Sequence, residues 1–138
     1  MSDAILSRLL QRKKTTAACA AAVLDSRHSV DPCPEPLLKK YIRHKFLLED
    51  EDSDSGNLQG LAKRSLMRAA GEAASSRYLN AKDCTGATNA LTKIILLIMN
   101  IEQTFGVHFT PAESADAETV ADLCRLVRTA WNREETRV

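Results

Sequence analysis

Aromatic residues are scarce in this chain: Phe, Tyr and Trp make up 4% of 138 residues. Alanine and leucine are abundant instead. Sheets favour aromatic and β-branched residues, whereas Ala and Leu are strong helix formers, so the composition argues against a β-sandwich and for helices packed on helices. A charge excess of one sign is also missing. Lys and Arg number 19 against 18 Asp and Glu, for a formal net charge of +1. The one basic cluster, Arg12-Lys13-Lys14, is short, and no basic stripe with aromatic or polar readers is present. Nucleic acid is therefore not an expected partner. Long apolar runs are lacking too: Ile94 to Met99 falls far short of the ~20 residues that a membrane span needs.

The usual signs of catalytic and metal chemistry are absent as well. Cys19, Cys33, Cys84 and Cys124 stand alone with no CxxC pair, which leaves a zinc site without support. Lone thiols suit a reduced protein of the cytoplasm. His28, His44 and His108 are scattered. The acidic run Glu49 to Asp54 fails as a calcium loop. With Gly56 at position 6 of the loop, Ser53 and Ser55 fall at positions 3 and 5 and Ala62 at position 12. No Gly-rich phosphate loop, GxSxG or HExxH appears. Cys84 follows Asp83, whose carboxylate disfavours a thiolate. No catalytic residue and no metal ligand is assigned, and the chain is not read as an enzyme.

What is present is helical periodicity with clear punctuation. Ser2 and Asp3 offer N-cap chemistry ahead of Ile5, Leu6, Leu9 and Leu10, and the helix can continue to about Leu24. Its Ala-rich part after a basic leader faintly resembles a signal peptide, but Asp3 and the lack of leucines there favour an ordinary helix. Three prolines in Asp31 to Pro36 exclude a helix and read as a linker. Leu37 to Leu48 is the next helix. Asn57 to Tyr78 is another, weakened at Gly71 by about 1 kcal/mol relative to alanine. Ala90 to Thr104 carries apolar residues on more than one face and is predicted to be the central, most buried helix. Gly106 ends it as a C-cap. Thr110-Pro111-Ala112-Glu113 opens a single short turn of helix, and Thr119 to Trp131 forms the last helix. Residues 1–36 thus read as an N-terminal helix and Pro-rich linker, 37–131 as the main bundle, and 132–138 as a charged tail.

The run from Glu102 to Val127 resembles the second half of an acyl or peptidyl carrier protein. That family shows an acidic helix end, Phe-Gly, an apolar-polar-apolar triplet, a Pro-containing short helix, and a Thr-Val-x-Asp-hydrophobic start to the last helix. Here these are Glu102, Phe105-Gly106, Val107-His108-Phe109, Pro111 to Ser114, and Thr119-Val120-Ala121-Asp122-Leu123. Leu37 to Leu48 loosely matches the family's first helix. The resemblance implies an all-α fold: an acyl-carrier-protein-like helical bundle with an extra N-terminal helix and an enlarged first loop.

The family carries 4'-phosphopantetheine on a serine at the start of the central helix. Counting back from Phe105 by the family's spacing reaches Leu91 or Ala90, neither of which has a hydroxyl. Where the family's docking face is acidic, this chain offers Lys93 and apolar residues. The implied function is a divergent carrier without the phosphopantetheine cofactor, docking to partner enzymes of acyl, polyketide or peptide synthesis. If an arm is present after all, Thr88 is the nearest acceptor, with Ser75 or Ser76 as the outside choice. A second expectation is a helical interaction module unrelated to acyl transfer. Its N-terminal helix, or the helix around Arg64 and Arg68, would then form a homodimer or partner surface.

Overall fold

The computed structural model describes residues 3–48, 56–70 and 89–135. The described residues form six α-helices: α1 (Asp3–Asp25), α2 (Glu35–Lys45), α3 (Leu58–Ala70), α4 (Asn89–Phe105), α5 (Pro111–Asp116) and α6 (Val120–Glu135). A 3-10 turn, Ser26–His28, follows α1. The expected all-α bundle is what forms. The acidic run Glu49 to Asp54, the second half of the expected Asn57–Tyr78 helix, and Thr88, Ser75, Ser76 and Cys84 lie outside the described residues.

Helix α1 packs on α2 and touches α4, α2 packs on α6, and α3 packs on α4. Val23, Leu38, Ile42, Ile101, Leu123, Val127 and Trp131 are among the residues of one continuous buried cluster. Burying a side chain of this size stabilises by about 1.5–3 kcal/mol. Trp131 anchors the end of α6. Its indole N–H donates to the Phe105 carbonyl at 3.1 Å, which satisfies a helix-end acceptor inside the core.

The segment read as a linker is a built turn. The Ser26 hydroxyl donates to the Val23 carbonyl and accepts from the Cys33 N–H at 2.9 Å, and the Ser29 hydroxyl donates to the Ser26 carbonyl at 2.7 Å. Cys33 is fully buried and takes a left-handed φ of 49°. The Arg27 guanidinium lies 5.4 Å from the centre of the Trp131 ring and reaches Glu134 at 3.3 Å. Arg128 approaches Asp31 at 3.7 Å. The turn is therefore clamped onto α6, and the core runs through it. Helix α1 ends at Asp25, well before the first proline, and the proline-containing segment is not loose, because side-chain hydroxyls bond to its backbone. Helix α2 begins at Glu35, earlier than the prolines suggest, with Pro36 in its first turn where a missing N–H costs nothing. Helix α6 continues to Glu135, so Arg133 and Glu134 of the expected tail are helical and bonded.

Two helix ends share one geometry. Leu48 N–H donates to the Arg43 carbonyl at 2.7 Å and Leu47 N–H to the His44 carbonyl at 3.2 Å. At the end of α4, Val107 N–H donates to the Glu102 carbonyl at 3.0 Å. Both place a residue with positive φ after the helix, Leu47 at 59° and Gly106 at 64°.

Candidate docking groove

The N-termini of α3 and α6 are tied side by side. Leu58 N–H donates to the Glu118 carbonyl at 2.9 Å, and Val120 N–H donates to the Gly56 carbonyl at 2.8 Å. Each helix is also capped by its own side chain. Asn57 Oδ1 accepts from Gly60 N–H at 2.8 Å, and Thr119 Oγ1 accepts from Asp122 N–H at 3.1 Å. Asp122 returns the favour, accepting from the N–H groups of Glu118 and Thr119. Those bonds hold its carboxyl below the usual carboxylate range, that from Glu118 most strongly.

Below this junction the chain turns at Gly106, and Glu102 accepts from the Phe109 N–H at 3.1 Å. That bond draws the 107–109 segment back along α4. A capping box then starts α5. Thr110 Oγ1 accepts from Glu113 N–H at 3.1 Å, and Glu113 accepts from Thr110 N–H at 2.9 Å. The Thr110 N–H is the main cause of the lowered pKa of Glu113; the Arg133 contact at 2.7 Å adds to it.

These ties leave a groove of about 870 Å³ between α4 and α5, lined also by Asn57, Leu58 and Gln59. One wall is Leu91, Ile95 and Met99 of α4, with Ile94 and Ile98 behind them; the other is Pro111, Ser114 and Ala115, and Phe109 lies between. Leu91, Ile95, Leu96 and Met99 are 42–54% exposed. The apolar residues expected on more than one face of α4 divide between two surroundings. Its inner face, Ala90, Ile94, Leu97, Ile98, Ile101 and Phe105, enters the core, while its outer face stays open. A helix with apolar residues on more than one stripe has a second surface to cover.

The groove is apolar with an acidic edge. Its ionisable lining is Glu102, Glu118 and His108, and no Lys or Arg lines it among the described residues. His108 points outward, 3.3 Å from Glu102, as its place in the apolar-polar-apolar triplet predicts. Lys93, on a neighbouring face of α4, lies over the Phe46 ring at 5.4 Å, and burial pulls its pKa down. Among the described residues no group of His, Cys, Asp and Glu could hold a metal ion. Thr88, the arm acceptor expected from the sequence, lies outside the described residues, so no groove contact is assigned to it. The sequence showed apolar residues on more than one face of α4 but not the groove, because the other lining residues come from α5 and from residues 57–59.

No family model, curated protein or solved structure matches this chain. The class that the fold defines is an all-α helical bundle. Among the described residues no helix is long and apolar enough to cross a membrane.

Proposed function

We propose that this chain is a non-enzymatic docking module whose α4–α5 groove receives the apolar face of a partner helix. The observation that carries this reading is the row Leu91, Ile95 and Met99, about half exposed along one side of an 870 Å³ groove. Residues spaced by four on a helix lie one above another, which is the spacing an amphipathic helix presents in return. The acidic edge favours a helix flanked by Lys or Arg. A reducing compartment such as the cytoplasm suits its free, buried Cys19, Cys33 and Cys124.

Docking to enzymes of acyl, polyketide or peptide synthesis is the specific form of this reading that the carrier resemblance implies. Phe109 and Pro111, which belong to the run that carries that resemblance, also line the groove. The two forms separate by intact mass after co-expression with a broad-specificity phosphopantetheinyl transferase. The docking reading expects no added arm.

The docking reading itself is tested with a synthetic helical peptide that has leucines at helical spacing and lysines on its borders. Methyl NMR of the full chain should show shifts at Leu91, Ile95 and Met99 on titration, and the Leu91 shift should be lost in I95Q/M99Q. A peptide that leaves those methyls unmoved would overturn the reading.

A further inference from the structure

Helix α1 carries another uncovered apolar surface among the described residues. It is one unbroken helix of 23 residues, roughly 34 Å long. Cys19, Ala20 and Val23 in its last turns are buried against the body. Ile5, Leu6, Leu9 and Leu10 in its first turns are 50–52% exposed. Ile5 and Val23 stand about five turns apart at 3.6 residues per turn, so both lie on one face. Ile5 and Leu9 therefore carry the core-facing stripe of α1 past the body that covers it, and Leu6 and Leu10 widen it to one side.

The borders of that stripe are basic. At 100° per residue, Arg8 and Arg12 run along one side, Lys14 lies on the other, and Lys13 sits at its end, all exposed. The α4–α5 groove has the opposite character: it is lined by the carboxylates of Glu102 and Glu118, with His108 beside Glu102, and by no Lys or Arg among the described residues. The same chain thus presents an apolar helix with basic borders and an apolar groove with an acidic edge. Because α1 is continuous and held by its second half, its first half cannot fold back into its own groove without breaking the helix.

We infer that the chain self-associates by seating the first half of α1, from Ile5 to Leu10, in the α4–α5 groove of a second copy. This rests on the docking reading above and names the partner helix. Charge decides against the simpler pairing of two α1 stripes, which would bring Arg8, Arg12 and Lys14 of both copies together. The contact joins two different surfaces. It closes as a dimer when the exchange is reciprocal and continues to larger assemblies when it is not.

The test is sedimentation velocity on the full chain, with L6Q/L9Q/L10Q and I95Q/M99Q as variants. All five positions are about half exposed, and glutamine is a good helix former, so the bundle is retained; circular dichroism checks this. The wild type should sediment as a species of at least twice the 15.2 kDa chain mass, and less so as salt is raised. Each variant alone should be monomeric. Mixed in equal amounts they should associate again, because one supplies an intact α1 and the other an intact groove. A wild type that stays monomeric up to ~1 mM overturns the inference. An I95Q/M99Q variant that still associates overturns it in favour of α1 pairing with α1. A monomer that co-sediments with anionic phosphatidylserine vesicles, with loss of binding in L6Q/L9Q/L10Q, overturns it in favour of a membrane surface. If the wild type is monomeric but the lysine-bordered peptide still shifts Ile95 and Met99, self-docking alone fails. If neither occurs, the docking reading fails with it.

Discussion

Replacing Gly106 by alanine isolates the cost of one backbone conformation. Gly106 ends α4 with φ of 64°, and a Cβ built on it meets no heavy atom within 4 Å. Packing therefore contributes nothing to the change. What remains is the left-handed conformation, which costs an L-residue about 1–2 kcal/mol. Alanine also narrows the unfolded ensemble, which returns roughly 0.4–1 kcal/mol. The net expectation is a loss of about 1 kcal/mol, or about 3 °C in Tm for a domain of this size. Urea unfolding followed by fluorescence measures it well. The sole tryptophan, Trp131, donates its indole N–H to the carbonyl of Phe105, the residue just before the substitution. The midpoint should fall with an unchanged slope, at one fixed protein concentration for all variants. Gly106→Asn should lose less, because asparagine visits the left-handed region more readily. An alanine variant as stable as wild type would refute the αL assignment. A loss beyond about 3 kcal/mol would refute the claim that only one backbone angle is at stake.

Trp131→Phe keeps a ring in the core but strands the Phe105 carbonyl, so it should cost about 2–3 kcal/mol by urea unfolding read with circular dichroism. Glu113 and Asp122 both hold folded pKa values below the ordinary carboxylate range. The unfolded chain binds more protons there, so their stabilisation is full above that range and is lost as pH falls through it to the folded values; Asp122→Asn should flatten the acid limb of a Tm–pH curve. A hydrogen bond with Cys124 and then burial push the Cys33 thiol far up. In the native protein Cys33 should resist iodoacetamide at mildly alkaline pH and react after denaturation, as peptide mapping will show.

Helix ends were legible in the sequence wherever a side chain does the capping. Thr110, Pro111 and Glu113 announce α5, and Gly106 announces the end of α4, because each acts within four residues of itself. Leu47 was not legible as a left-handed residue. Nothing in its own chemistry favours positive φ. The conformation is held by the two bonds that Leu47 and Leu48 make to α2 and by the burial of Leu48. Asp31 to Pro34 is non-helical as read, but Glu35 and Pro36 already belong to α2, and the stretch was not read as part of the core. Its hold on α6 comes from Arg27, Asp31 and Cys33 meeting residues almost a hundred positions away. Ser65 is of the same kind: its hydroxyl is buried to donate to the Phe46 carbonyl at 2.7 Å, a bond that no local pattern signals.

The run from Glu102 to Asp122 has a local task at every marked position. Glu102 holds the Phe109 N–H, Gly106 supplies the left-handed turn, Thr110 and Glu113 cap α5, and Thr119 and Asp122 cap α6. Such a pattern is one that capping chemistry selects by itself, so it reports how the segment folds, whatever its ancestry. Leu91, Ile95 and Met99 have no comparable task. They are about half exposed on a helix whose other face already fills the core. Their polar replacement should therefore cost the bundle little and a partner complex much. I95Q/M99Q is expected to lie within about 0.5 kcal/mol of wild type as a monomer, as surface substitutions do. A monomer destabilised by several kcal/mol would mean that these side chains serve the core after all.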